Sequence, residues 1–242
     1  AYGDRRRLRL DGVVVAIDAV DVVDRACHVT YGPLVRRQAA AAELLVSDLE
    51  EIVGAWGADG AAREALMADP DAGVVAILTG MGSLSYGEQA GERMKLGLML
   101  NDPEEEHDCF SDNTHNSHFY DGIGVRNVYT GRYVRVDGSV VSGPSVSQLV
   151  AETDPQTDAA LLEALDRSVQ ALGEIKIAAE GGFSYDQMLA RGSEPGEALI
   201  GGAVEALVEQ TRAIERAVAA LHLQPIAFEG SDSLDNPNAV FQ

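Results

Sequence analysis

Apolar residues recur along most of the chain at three- and four-residue intervals, the spacing of one face of an α-helix. Four stretches carry this pattern clearly: 38–56, 72–100, 158–179 and 197–222. A shorter helix is predicted over 61–68, ending before Asp69-Pro70. Few stretches alternate with the period of two expected of strands, so the pattern predicts an all-α protein built from helical bundles.

Both ends of the chain depart from this pattern. The Val-rich stretch 12–29 is read equally well as strand or helix. We therefore treat residues 1–30 as an N-terminal segment that the pattern does not assign, 31–222 as the helical domain and 223–242 as an irregular C-terminal tail.

Between the predicted helices lies a long polar insert, residues 101–156, which is rich in Asn, Asp, Gly, Ser and His. It is predicted to contain a short helix at about 114–121. A small β-hairpin is predicted from 125–133 and 134–141, because Asp137-Gly138 suits a tight turn. A long polar insert in a helical protein is usually functional or disordered, and the presence of three of the five histidines favours function.

Small residues mark one face of the predicted helix 72–100. Ser83, Gly87 and Gly91 recur every four residues, which lets another backbone approach closely, within the chain or from another chain. Glu88 and Glu92 lie on a neighbouring face and repel each other unless Arg93 or a metal ion lies nearby.

The net charge of the chain limits the classes of partner that it can bind. With 18 Lys+Arg and 39 Asp+Glu the formal net charge is −21, which excludes electrostatic binding to nucleic acid and argues against docking on anionic membranes. No stretch is apolar enough to predict a membrane span. The same negative field attracts cations.

A cluster of imidazoles and carboxylates predicts a site for a transition metal such as iron, zinc or manganese. The candidate ligands are His107, His115, His118, Glu88, Glu92, Glu106, Asp108 and Asp112. The alternative is a hydrogen-bonded loop, in which Asp112-Asn113-Thr114 caps the following helix. The sequence has no H-E-x-x-H, P-loop or G-x-S-x-G motif.

Several ordered motifs resemble the imelysin-like family, specifically its iron-regulated protein A branch. They are residues 79–94 (TGMGSLSYGEQAGERM), 105–115 (EEHDCFSDNTH), 124–131 (GVRNVYTG) and 143–173. The resemblance covers roughly residues 31–222. It implies two bundle-like helical halves with a functional site between them, a periplasmic or outer-membrane-associated location, and a role in iron acquisition.

One family hallmark is absent, because no H-x-x-E occurs anywhere in this sequence. The chain is therefore expected to be either a divergent member or one without the family's N-terminal half. The two cysteines, Cys27 and Cys109, are read as one disulfide or two free thiols, and an envelope location would allow the disulfide.

Three functions follow as hypotheses. The first is a non-enzymatic envelope protein that binds iron or another divalent transition metal, with the metal ion and possibly an envelope protein as partners. The second is a structural or interaction protein without a metal site. The third, a metallopeptidase, lacks the motif that it requires.

Overall fold

The structure, a computed structural model, describes residues 7–10, 13–16 and 28–241, with side chains described from Arg37 onward. The chain forms two compact units. The first comprises Ala1–Pro70 with Val134–Val140, and the second comprises Asp71–Tyr133 with Val141–Gln242.

In the part of the first unit before Pro70, the described residues form two strands and two helices. Strands β1 (Arg7–Leu10) and β2 (Val13–Ala16) pair antiparallel, so this part of the ambiguous N-terminal stretch is extended. Helix α1 (His28–Ala55) is longer than predicted, and α2 (Ala61–Ala68) has the predicted bounds. The apolar stripe predicted on α1 is present, but its side chains are 36–59% exposed in this structure.

The second unit is a bundle of helices joined by short turns. Its principal helices are α3 (Pro70–Ser83), a π-helix (Leu84–Lys95), α4 (Leu96–Leu100), α5 (Thr114–Thr130), α6 (Val146–Thr153), α7 (Pro155–Glu180), α8 (Tyr185–Leu189) and α9 (Glu194–Ala220). Single 3₁₀ turns occupy Pro103–Glu105 and Cys109–Ser111. The predicted all-α bundle is confirmed.

Helices α7 and α9 form the centre of this bundle and are fixed at their starts by local chemistry. Pro155 begins α7, where its missing N–H costs nothing, and the Asp154 carboxylate accepts from the next two backbone N–H groups. Leu161 and Leu165 of α7 and Ile214 of α9 are fully buried in one core. A second core surrounds Leu207, with Met94 of the π-helix.

The insert departs from its prediction in one respect. The expected helix at about 114–121 begins where predicted but continues to Thr130, so the expectation of a strand over 125–133 is wrong. Val125 and Tyr129 lie one helical turn apart and are both buried, and burial outweighs the weak β preference of their sequence. The hairpin itself is confirmed in shorter form as β3 (Arg132–Val134) and β4 (Val140–Ser142).

The predicted long helix 72–100 is continuous but changes its winding. Gly80 and Gly82 lie within α3, and the following 12 residues are π-helical. Such segments are rare and usually occur as single turns at functional sites. None of the helices in the described part of the chain combines the length and apolar character that a bilayer span requires.

The small-residue face of this helix receives the C-terminal segment of the same chain. Residues 228–235, here called the C-terminal strap, lie against it, and they end in a short helix α10 (Asp232–Asp235). The Ser83 hydroxyl accepts from the Glu229 N–H at 3.1 Å, and Ser233 donates to the Gly91 carbonyl at 2.9 Å. The predicted close approach of a second backbone is therefore confirmed. The tail predicted to be irregular also contains a 3₁₀ helix, Pro237–Phe241.

Gly87→Ala is expected to destabilise the protein by about 1–3 kcal/mol, because a Cβ at that position would lie 2.4 Å from the Glu229 carbonyl oxygen of the strap. The matched control is Gly80→Ala on the same helix, where a Cβ meets nothing within 4 Å. That change should be neutral or stabilising by up to ~1 kcal/mol, since alanine favours helix. Urea unfolding of both variants checks the difference, and equal effects would contradict the packing described.

Candidate functional site

The loop between α4 and α5 carries four of the eight predicted ligands. Asn101 ends α4 in a left-handed conformation, with φ of 52°. The Asp102 carboxylate then accepts from the Glu104 N–H at 3.0 Å and starts a single 3₁₀ turn. This turn directs Glu106 inward, where it is 6% exposed, while the next residue, His107, is exposed.

The start of α5 closes this loop through hydrogen bonds to Asp108. The Asp108 N–H donates to the Thr114 hydroxyl at 3.0 Å, and the Asp108 carboxylate accepts a short hydrogen bond from Ser117. The following turn of α5 places His118 in the interior, where it is 1% exposed. The loop and the helix thus bring Glu106 and His118 into the same buried region.

The π-helix contacts its neighbours through three polar side chains spaced four residues apart, one of them bonded to α9 and two to α5. Ser85 accepts from the Gln210 amide of α9 at 2.7 Å. Gln89 is fully buried, and its amide donates to the backbone carbonyl of His118 at 2.8 Å. Arg93 donates to Asp121 of α5 at 3.1 Å. These contacts fix the π-helix against the helix that carries His118.

Tyr185, the first residue of α8, completes the interior of this region. Its ring is 2% exposed and contacts the His118 ring edge-on, with the ring centroids 5.3 Å apart. The His107 ring lies nearly parallel to the His118 ring, at 6.3 Å between centroids. His118 therefore has both an exposed imidazole and a buried phenol as ring neighbours.

Four buried side chains in this region have polar atoms without a hydrogen-bond partner among the described residues. We call them the buried polar cluster: Gln89 (Oε1), Glu106 (Oε2), His118 (Nδ1 and Nε2) and Tyr185 (Oη). Each such atom costs about 1–3 kcal/mol if nothing compensates it. Buried polar atoms in proteins are nearly always partnered, so a set of five in one place points to a ligand, an ion or ordered water.

Burial also sets the protonation states in this region. Desolvation lowers the pKa of His118 to about 3, with the charges of His107 and Arg93 acting in the same direction. Desolvation raises the pKa of Glu106, opposed by a hydrogen bond from Thr114. Desolvation and the charge of Glu106 together raise the pKa of the Tyr185 phenol. At neutral pH His118 is uncharged, which is the form of imidazole that ligates metals.

The structure brings together some of the sequence-predicted ligands. Glu106 and His118 lie in the buried polar cluster, and His107 stacks beside them. Asp108 lies next to this cluster, but its carboxylate is already held by Ser117.

The remaining predicted ligands lie apart and have other partners. Glu88 is paired with Arg93 at 3.3 Å, and Glu92 accepts from Ser231 of the strap at 2.6 Å, so the two carboxylates diverge. Asp112 is exposed. His115 lies 3.0 Å from the side-chain amide of Asn116, and its charge acts on Glu180 of α7.

Within the described range, no three His, Cys, Asp or Glu side chains are grouped so that they could hold one metal ion. The buried polar cluster supplies two of these residue types, and its other two members are an amide and a phenol. Sequence reasoning missed Gln89 and Tyr185, because neither belongs to a common ligand motif. The oxygen atoms and the imidazole of the cluster are nevertheless donors that suit iron or manganese.

The predicted disulfide falls partly outside the described residues, because Cys27 is not among them. The Cys109 thiol lies 3.7 Å from a carboxylate oxygen of Glu104, to which it donates. The pairing stays a prediction.

Fold and site together define an all-α bundle protein with a polar centre inside it. A family model described as Imelysin matches residues 26–214 of the chain, which is more than half of its length. The chain belongs to the imelysin family. The assignment to the iron-regulated protein A branch stays a prediction, and a search of curated proteins finds none that matches.

The metal-free protein is expected to lose stability in acid through His118. The pKa of His118 is about 3 in the folded protein and near 6.5 in the unfolded chain, so between these values the unfolded chain binds the additional proton. This one group therefore lowers the free energy of unfolding by up to ~1.4 kcal/mol for each unit of falling pH. Glu106, whose pKa is raised, acts in the opposite direction.

Urea unfolding between about pH 6 and pH 4 isolates the contribution of His118 when the chain is compared with His118→Gln. The substitution should make the pH dependence of stability shallower. Replacement of the exposed His222 by Gln serves as the control and should leave the pH dependence unchanged. Identical pH dependence in all three proteins would refute the buried neutral state of His118.

Proposed function

We propose that this imelysin-family protein is a non-enzymatic binding protein for iron or another transition metal, serving metal uptake in the cell envelope. The metal is bound at the buried polar cluster, with Glu106 and His118 as protein ligands. His107, exposed at the edge of the cluster, is available to the arriving ion.

The observation that supports this proposal most strongly is that particular side-chain atoms of Glu106 and His118 are buried without partners. A carboxylate oxygen and both nitrogens of an imidazole are buried without a hydrogen-bond partner among the described residues. An ion bound between them would supply the missing interaction. His and Glu side chains are common ligands for iron.

The electrostatics of the protein favour a cation. The net charge of −21 raises the local concentration of positive ions. A bound cation would also favour the ionised form of Glu106, whose pKa burial otherwise raises. Because His118 is already neutral, no proton has to leave it before a metal binds.

The envelope location, and an envelope protein as partner, rest on the resemblance of residues 79–94 and 105–115 to the iron-regulated protein A branch. Membership of the imelysin family supports this part of the proposal. Fractionation of cells that express the full-length protein would test it directly.

A structural role for the same loop is the second candidate, and a specific observation favours it. Asp108 is hydrogen-bonded to both Thr114 and Ser117, and Glu92 is bonded to Ser231, so these polar groups stabilise the fold without any metal. In this case the buried polar cluster would hold ordered water, and metal would have no effect on stability.

Metal-stripped protein titrated with ferrous, ferric and zinc ions is expected to bind one ion and to gain thermal stability. His118→Ala should weaken binding at least tenfold, or ~1.4 kcal/mol, because it removes a buried ligand. His115→Ala, which alters the other histidine of the same helix, should bind as the unmodified protein does. Calorimetry together with thermal unfolding measures both effects.

The result that eliminates the metal-binding function is no heat and no melting shift at millimolar metal for any of the three ions. Equal losses of metal affinity in His118→Ala and His115→Ala would instead indicate a metal site in the polar insert that the sequence alone predicted, outside the buried polar cluster.

A metallopeptidase is the remaining hypothesis, and chelator sensitivity separates it from the binding function. The sequence lacks the H-x-x-E motif, and Glu88 and Glu92, the possible bases, are bonded to Arg93 and Ser231. We expect no cleavage of an unfolded protein substrate, with or without metal. Cleavage that a chelator abolishes and that added metal restores would establish the peptidase.

A further inference from the structure

We infer that the metal bound at the buried polar cluster is ferric iron and that Tyr185 is a ligand to it through its phenolate oxygen. This inference rests on the proposed function and specifies the ion and an additional ligand for the same site. It is carried by the position of Tyr185 relative to Glu106 and His118.

Tyr185 is buried in a way that packing alone does not explain. Its side chain is 2% exposed, and its hydroxyl has no hydrogen-bond partner among the described residues. A buried tyrosine hydroxyl usually finds a partner, and a phenylalanine would fill the same space without the cost of an unpaired hydroxyl. The hydroxyl therefore indicates an interaction that the folded chain does not itself provide.

Glu106 is a carboxylate close enough to Tyr185 to act on its charge, yet the two side chains are not hydrogen-bonded. The charge of Glu106 acts on Tyr185, and helix α8 packs against the 3₁₀ turn that precedes Glu106. One carboxylate oxygen of Glu106 and the Tyr185 hydroxyl nevertheless both lack partners. A donor and an acceptor that are buried in the same region and both unpaired point to a further group that binds both.

Gln89 and His118, the other two members of the buried polar cluster, limit which ligand can bind there. Gln89 contributes a carbonyl oxygen, since its amide nitrogen is bonded to the His118 carbonyl. The His118 ring lies edge-on to Tyr185 at 5.3 Å between centroids. The complete donor set is three oxygens and one imidazole nitrogen, with no thiol.

This donor set favours iron in its ferric state over zinc. Oxygen donors suit hard ions, zinc sites in proteins draw mainly on thiolate and imidazole, and tyrosine oxygen is a known ligand of iron. A phenolate and a carboxylate together carry two negative charges, and a trivalent ion attracts each of them more strongly than a divalent ion does.

Binding exchanges a proton for the metal and transfers no electron. The O–H bond of Tyr185 breaks, its proton passes to solvent, and a bond forms between the phenolate oxygen and ferric iron. Burial raises the pKa of this phenol in the metal-free protein, but direct coordination to a cation outweighs that effect, as it does for other acidic ligands. Binding should therefore release a proton and become weaker as the pH falls.

Visible absorption spectroscopy tests the inference, since a phenolate bound to ferric iron gives a visible charge-transfer band that the carboxylate, amide and imidazole donors of the cluster do not give. Metal-free full-length protein is titrated with ferric nitrilotriacetate. The expected result is a visible band that saturates at one iron per chain. Tyr185→Phe should abolish the band and weaken ferric binding at least tenfold, whereas Tyr120→Phe, at an exposed tyrosine, should alter neither.

The stability of metal-free Tyr185→Phe provides the second measurement. Because the hydroxyl that is removed has no partner, this variant is expected to fold and to melt at the same or a higher temperature than the unmodified protein. Ferric binding without a visible band, or a band that persists in Tyr185→Phe, would overturn the role of Tyr185 while leaving the metal-binding function intact. The absence of binding by any metal would overturn both.

Discussion

The buried side chain of Gln89 joins the π-helix to α5 in the interior of the second unit. Its amide bonds to the backbone of α5 in a place where water has no access, and the neighbouring contacts of Ser85 and Arg93 follow at intervals of four residues. Gln89 and Arg93 bond to α5 and Ser85 bonds to α9, so these three contacts together position the π-helix against both helices. The burial of His118 depends on that position, and so does everything proposed for the site.

Local signals predicted much of the fold. The bounds of α2 and the start of α7 follow from Pro and Gly positions and from side-chain capping, which act within a few residues. The end of α5 was not predicted, because Val125–Tyr129 has the composition of a strand. The spacing of His118, Gly122, Val125 and Tyr129 contained the helical signal, since all four are buried on one face. The π-helical winding has no pattern of its own in the sequence.

The candidate site was only partly predictable. The density of imidazoles and carboxylates at 104–118 led to Glu106 and His118, but it equally indicated His115 and Asp112, which lie elsewhere. Glu88 and Glu92, predicted from their spacing on the preceding helix, also have other partners. Sequence spacing along one loop does not say which side chain turns inward. Gln89 and Tyr185 are separated by almost a hundred residues, and they come to the same place because both contact His118 in the folded chain.

The C-terminal strap extends the folded unit beyond the residues that the family model matches. The family match ends at residue 214, whereas the backbone that lies over Gly87 and Gly91 comes from residues 228–235. A version of the chain cut at the edge of the family match would uncover a glycine-rich groove and leave Glu92 without Ser231. Expression work on this protein therefore needs the stretch to Asp235, and any tag is better placed beyond it than within it.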